Sequence, residues 1–460
     1  MKPEEILSLL EEYGQQHILH HYHGLSPEKR ERLLKDLQGL DLKLVFDLHK
    51  KFSTESGTGR PSKDISPAPV TNIPRTSSEI GAREQARRLG ERLIRQNQVA
   101  VLIVAGGQGS RLGSEGPKGK FLITPVKRKS LFQLLAEAVK AISLRYQALI
   151  PLLIMTSQEN RQETQEFFKS HNYFGLEEDS VLFYEQEMLP TLTPEGQLIL
   201  RDDTHLLVNP DGHGGFLKGL YKSGLLPNLI RKGVTELFYC QVDNPLVKIA
   251  DPVFIGHHKR KGAEISTKVV RRREPEEKVG IYGTVDGRPA IIEYSDFSPR
   301  EYRALDGEGN LRHWAGNIAV HMISLLFLRR LNLHGFTLPY HRAVKDVEAW
   351  GPDGKGEKIP GWKFETFVFD SIPLARKTCC LEVIREEEFA PVKNQKGSDS
   401  PDAVRAAMNH LHGGWLKEAG AEVAPEAQVE ISPLFAHDKE ELLKKLKGKK
   451  LAIREDKYIE

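Results

Sequence analysis

The chain has 460 residues, of which 39% are hydrophobic and 28% charged, enough for two or three domains with a large apolar core. Its 66 Lys and Arg against 63 Asp and Glu leave a net charge of +3, which argues against wholesale nucleic-acid binding. The longest apolar run, Ala148 to Met155, is eight residues and contains Pro151, too short for a bilayer span. Three cysteines, Cys240, Cys379 and Cys380, in no metal-ligand spacing exclude a disulfide scaffold and a zinc ribbon. The first residues carry no apolar stretch of the secretory kind, so a reducing, cytoplasmic setting is expected, with neither membrane nor nucleic acid as partner.

In chain order, residues 1 to about 52 read as helical. Ile6, Leu9, Leu10 and Tyr13 fall at helix spacing, Ser26-Pro27 opens a further segment, and Leu33, Leu34, Leu37 and Leu40 form another apolar stripe. His20-His21-Tyr22-His23 has no carboxylate or cysteine beside it and reads as surface or packing rather than as metal ligands. From Phe52 to Ser78 the composition turns to Ser, Thr, Pro and Gly, as in a linker or surface strap. A helix is expected from about Ser78 to Gln96. Val99-Ala100-Val101-Leu102-Ile103-Val104 is then a continuous apolar run ended by glycines, as in a strand buried on both faces of a parallel sheet.

Similar strands are expected at Leu152 to Thr156, Ser180 to Tyr184 and Leu237 to Val242, with helices at Leu131 to Leu144 and Glu159 to Ser170. Strand alternating with helix predicts a doubly wound layer with ligands at the carboxyl ends of its strands. Beyond residue 262 the pattern is β-rich and mixed. Strands are expected at Glu264 to Val270, Val279 to Val285 and Ala290 to Tyr294, the last two joined across Asp286-Gly287. From Asp438 a Lys-rich helix with Leu442, Leu443 and Leu446 precedes a short strand. The fold class is therefore α/β: an N-terminal helical region and linker over 1–98, a Rossmann-like doubly wound central domain over 99–378, and a small C-terminal α+β domain over 379–460.

The most informative stretch is Ala105-Gly106-Gly107-Gln108-Gly109-Ser110-Arg111-Leu112-Gly113, followed after Ser114-Glu115-Gly116 by Pro117-Lys118-Gly119. It opens at the carboxyl end of the first buried strand, where glycines let a bound group approach the backbone N–H groups. Two phosphate loops can be rejected. The dinucleotide fingerprint needs Gly where Leu112 stands, and the Walker pattern needs Gly and Ser or Thr where Ser114 and Phe121 stand. What remains is a loop carrying two cations, Arg111 and Lys118, beside backbone donors.

This loop resembles the signature of the eukaryotic-type UDP-sugar pyrophosphorylases, most of all their UDP-N-acetylhexosamine branch, with Ser110 in place of Thr. The resemblance continues through Met155-Thr156-Ser157, Glu185-Gln186-Glu187-Met188-Leu189-Pro190, Pro210-Asp211-Gly212-His213-Gly214-Gly215 and Val242-Asp243-Asn244. It then takes in Ile292-Glu293-Tyr294-Ser295, Ala315-Gly316-Asn317-Ile318-Ala319, Phe367-Val368-Phe369-Asp370 and Phe389-Ala390-Pro391-Val392-Lys393-Asn394. It implies a nucleotidyltransferase central domain and a uridylyltransferase reaction in which UTP and N-acetylglucosamine 1-phosphate give UDP-N-acetylglucosamine and pyrophosphate. Such a reaction needs no protein nucleophile and rests on holding two polyanions together.

By resemblance, Arg111, Lys118 and Lys393 face the phosphates as catalytic cations. Asp243 is the ligand of Mg²⁺ (or Mn²⁺), although on local sequence Asp-Asn-Pro equally suits a turn. Gly106, Gly107, Gly109, Gln186, Gly212 and His213 contact the nucleotide; Gly280, Glu293, Tyr294 and Asn317 contact the sugar. Two positions depart from the branch: His213 replaces an asparagine, as in UDP-glucose and broad-range enzymes, and Trp314 replaces a smaller aromatic. The alternatives are a UTP–glucose-1-phosphate or broad-range UDP-sugar pyrophosphorylase, and a non-catalytic sugar-nucleotide-binding protein. A glycosyltransferase would carry Asp-x-Asp, and Asp243-Asn244-Pro245 lacks the second carboxylate.

Overall fold

The computed structural model describes residues 2–55, 64–333, 335–336, 338–351 and 356–460. Its centre is a ten-stranded sheet. Four parallel strands, in the order Glu236–Gln241, Val99–Val104, Leu152–Thr156 and Val181–Glu185, form its doubly wound part. The strand Val99–Val104 is buried along nearly its whole length, as its unbroken apolar sequence requires. It has the next strand in sequence, Leu152–Thr156, on one side and Glu236–Gln241 on the other. The winding reverses between them, and the crevice outside such a switch point is where ligands bind in this architecture.

The remainder of the sheet is mixed, as expected beyond residue 262. Ala315–Ser324 runs antiparallel to both Glu236–Gln241 and Ile265–Arg271. Ile281–Val285 and Arg288–Ile292 form a hairpin whose two turn residues, Asp286 and Gly287, have φ of 49° and 77°. Positive φ at both positions matches a type I′ turn and the twist of the flanking strands. Ile65–Pro67 pairs with Ile281–Val285, so part of the expected linker is an edge strand. The helix before it reaches Glu55, and residues 56–63 of that linker lie outside the described residues. Ser77–Arg95 is a helix capped by Thr76, whose side chain accepts from the N–H of Glu79.

Two compact units emerge, each assembled from three stretches of chain: 1–62, 186–219 and 336–370 in one, 63–185, 220–335 and 371–460 in the other. They cut across the continuous boundaries at 98 and 378 read along the sequence. The first unit packs the helices Pro3–Glu12, Gln16–Gly24, Pro27–Gln38 and Leu42–Glu55 around Ile6, Leu10, Ile18, Leu33, Leu37 and Phe46. Leu189, Leu192, Trp362 and Phe364, from far along the chain, complete that core. Pro27 is the first helical residue after Ser26, as the sequence suggested. His21 Nε2 meets the carbonyl of Asp203 at 2.8 Å, a packing role.

In the second unit the boundary at 378 passes through the central sheet, because Thr378–Glu382 pairs in parallel with Ile265–Arg271. The C-terminal residues still make a small core of their own around Leu416, Val429, Ile431, Leu442, Leu446 and Ile459. Asp438 caps the helix Lys439–Leu446. Among the described residues no helix is long and apolar enough to cross a membrane.

Candidate active site

The glycine-rich loop leaves the carboxyl end of Val99–Val104 and folds back on itself. The N–H of Gly109 donates to the carbonyl of Gly116 at 2.9 Å, and that of Lys118 to Gly107 at 3.1 Å. Asn160, fully buried, donates its amide to the carbonyl of Ala105 at 2.9 Å and so fixes the loop to the segment after Leu152–Thr156. Gly113 and Gly116 have φ of 71° and 77°, a region costly for other residues. A Cβ on Gly119 would stand 2.2 Å from the ring of Phe132. Gly107 differs, since it is exposed and nothing lies within 4 Å of where its Cβ would be. Internal packing gives no reason for a glycine there, and close approach by a ligand does.

The segments that bear the predicted charged residues meet at this edge. Lys118 Nζ lies 3.0 Å from Asp243 Oδ2, both side chains largely buried. Asp243 stands just beyond Glu236–Gln241, and its carbonyl accepts from the N–H of Val392 at 2.8 Å, which brings Lys393 alongside. A Cβ on Gly113 would lie 2.3 Å from Gln395 Nε2, so the loop bearing Arg111 abuts the segment bearing Lys393. Arg111 and Lys393 are exposed, and neither has an ion-pair partner among the described residues. Two unpaired cations and one carboxylate-paired lysine are thus gathered at the sheet's switch point, as a site for a polyanion requires.

The donor set limits what metal could be held. Among the described residues no group of three or more His, Cys, Asp or Glu side chains is placed to hold a metal ion. Asp243 is a single carboxylate among cations. That suits Mg²⁺, which takes most of its ligands from phosphate oxygens and water, and does not suit an ion caged by protein.

Three of the four predicted sugar residues also converge. The N–H of Asn317 donates to the carbonyl of Gly280 at 2.8 Å, and Glu293 Oε1 lies 3.4 Å from where a Cβ on Gly280 would be. Asn317 Oδ1 accepts from the N–H of Ala319 at 3.1 Å and from Thr267 Oγ1 at 3.2 Å. An N–H can only donate, so it fixes which end of the amide is oxygen. Asn317 Nδ2 is left as a donor without a protein acceptor among the described residues. The strand shifts register between Asn317 and His321, and Ala319 has a φ of 54°. Tyr294 is 42% exposed, 5.7 Å from the Lys278 ammonium. Trp314 stacks under the Arg271 guanidinium at 4.4 Å.

The remaining residues predicted to contact the nucleotide, Gln186, Gly212 and His213, belong to the other compact unit. Met188–Pro190 and Val208–Pro210 pair antiparallel, and the N–H of Asp211 continues the ladder to the carbonyl of Glu187 at 2.9 Å. That register sets Gln186 opposite Gly212. Gly212 has a φ of 84°, and a Cβ there would meet the carbonyl oxygen of Thr366 at 2.4 Å. His213 Nδ1 accepts from the N–H of Val368 at 3.2 Å, which leaves the proton of the neutral ring on Nε2. Its ring packs 5.2 Å from Phe367 and 5.7 Å from Phe369. Sequence reasoning missed the bonding roles of Asn160, to the carbonyl of Ala105, and of Asn244, to the carbonyl of Glu388. Their partners are distant along the chain, so no local pattern marks them.

Residues 45–433 match the family described as UTP–glucose-1-phosphate uridylyltransferase. The chain is 37% identical to the UDP-N-acetylglucosamine pyrophosphorylase of Saccharomyces cerevisiae, over 95% of this chain and 96% of that protein. It is 36% identical to UDP-N-acetylglucosamine diphosphorylase 2 of Arabidopsis thaliana, over 95% and 91%. Its fold superposes on the crystal structure of the uridine diphosphate N-acetylglucosamine pyrophosphorylase of Trypanosoma brucei in complex with inhibitor with a TM-score of 0.84, at 27% identity and 99% coverage of both chains. With its switch-point loop, its gathered cations and these likenesses, the chain belongs to the UTP–glucose-1-phosphate uridylyltransferase family.

Proposed function

We propose that the protein is a uridylyltransferase that makes UDP-N-acetylglucosamine and pyrophosphate from UTP and N-acetylglucosamine 1-phosphate. The observation that carries this reading is the meeting of Arg111, Lys118, Asp243 and Lys393 at the carboxyl ends of Val99–Val104 and Glu236–Gln241. The names of the Saccharomyces cerevisiae, Arabidopsis thaliana and Trypanosoma brucei proteins, each an N-acetylglucosamine enzyme, support the sugar. A phosphate oxygen of the sugar 1-phosphate attacks the α-phosphorus of UTP in line. The bond from that phosphorus to the bridging oxygen breaks, and pyrophosphate leaves with the electron pair.

Arg111, Lys118 and Lys393 hold the phosphates and stabilise the charge that grows on the leaving group. The glycines Gly106, Gly107 and Gly109 let the nucleotide approach the loop closely, while Gln186, Gly212 and His213 read its base and ribose. Gly280, Glu293, Tyr294 and Asn317 take the sugar, with Asn317 Nδ2 free to donate to the acetyl carbonyl. Asp243 would hold Mg²⁺ or Mn²⁺ together with phosphate oxygens, and the bound ion would supply charge neutralisation there. The three cysteines are all unpaired and buried, which supports a cytoplasmic setting.

A second reading, with glucose 1-phosphate as substrate, is favoured by His213 and by the glucose in the family description. Pyrophosphate release from UTP, measured with N-acetylglucosamine, glucose and galactose 1-phosphates in turn, decides between them. Equal or higher kcat/KM with glucose 1-phosphate overturns the N-acetylglucosamine assignment and leaves uridylyl transfer intact.

A further inference from the structure

Asn244, next to Asp243, is 4% exposed, and its amide is used at both ends. Nδ2 donates to the carbonyl of Glu388 at 2.7 Å. Oδ1 accepts from the N–H of Ala390 at 3.1 Å and from that of Leu246 at 3.3 Å. Two residues on, the N–H of Val392 donates to the carbonyl of Asp243 at 2.8 Å. Residues 388, 390 and 392 are therefore stitched, every second residue, to the dipeptide 243–244. Behind them the fully buried Lys268 joins the Glu388 carboxylate at 2.5 Å to that of Asp251 at 2.8 Å. Lys393 is the first residue beyond the stitch.

An Asp-Asn-Pro turn needs only the local bond from Asn244 Oδ1 to Leu246. The bonds to Glu388 and Ala390 serve something else. They fasten the cation-bearing segment to the strand end that carries Asp243, and they need one side chain that both donates and accepts. We infer that Asn244 is a positioning residue, which sets where the Lys393 ammonium stands relative to Asp243 and Lys118. This rests on the role given to Lys393 in the proposed reaction.

The test is a double-mutant cycle on the full-length protein, reading kcat, KM and the affinity for pyrophosphate. Asn244→Ala should lower kcat by about 10–100-fold, the scale of a displaced catalytic group, and weaken pyrophosphate binding. In a Lys393→Ala background the same change should cost less than about threefold, since a residue that acts through another adds nothing once that other is gone. Amide exchange at Ala390 and Val392 should quicken in Asn244→Ala while the strand Val99–Val104 stays protected. Losses that multiply, or unaltered exchange, overturn the inference and leave the proposed reaction standing. A Lys393→Ala enzyme with normal turnover removes both the role of Lys393 and the inference. Should Asn244→Ala not fold, Asn244→Asp keeps the acceptor and sets a carboxylate oxygen in place of the donor to Glu388, and the same cycle applies to it.

Discussion

Asp211 lies in the turn that presents Gly212 and His213, and it is fully buried. Neither carboxylate oxygen has a hydrogen-bond partner among the described residues, and Oδ1 lies 1.9 Å from where a Cβ on Gly215 would be. Burial, and then the charge of Glu187, push its pKa from 3.8 up to about 8; Lys218, paired with Glu187 at 2.5 Å, offsets only part of this. The carboxyl is neutral in the native protein at pH 7 and ionised in the unfolded chain. Because the native state holds the proton more tightly, the contribution of this carboxyl to stability is greatest below pH 3.8, falls as the pH rises toward about 8, and is level beyond it. At about 1.36 kcal/mol for each tenfold in proton affinity, the loss by pH 7 is on the order of 4 kcal/mol. Asp211→Asn removes the titration. Its stability relative to the parent should rise by about that amount between pH 4 and pH 7. Urea unfolding at several pH values, followed by the fluorescence of Trp350 and Trp362 in the same compact unit, measures the difference. Parallel profiles for the two proteins would refute the reasoning. Above pH 8, UTP affinity should fall in the parent more than in the variant.

Arg111→Ala should lower kcat by about 10²–10³, the scale of one preorganised electrostatic contact in a transition state; a change confined to KM would assign Arg111 to uniform binding instead. Asp243→Ala should abolish activity in Mg²⁺ or Mn²⁺ while the protein remains folded by circular dichroism, and normal turnover would sink the metal role. Asn317→Ala should narrow a preference for N-acetylglucosamine 1-phosphate over glucose 1-phosphate of at least about tenfold, with UTP binding by calorimetry little altered. Gly107→Ala meets open space and should leave the thermal midpoint unchanged yet weaken UTP binding; an undiminished affinity would place the nucleotide elsewhere.

Elements whose cause is local could be read along the chain. An unbroken apolar run marked Val99–Val104, Ser26-Pro27 marked a helix start, and Asp286-Gly287 joined a hairpin. The ordered motifs carried the family. Elements whose sequence is locally at odds with their structure escaped notice. Pro401–Glu418 is a helix despite Gly413 and Gly414, because Val404, Met408 and Leu416 are buried along it. His341–Trp350 and Gly356–Glu365 form a long hairpin with many exposed charged residues. Which residues meet is set by the assembled fold. The pairing of Lys118 with Asp243 spans 125 positions, and the bond from Asn244 to Glu388 spans 144. A one-dimensional pattern records what a residue can donate or accept, whereas the partner is chosen by chain segments that converge only when the sheet and the two cores assemble.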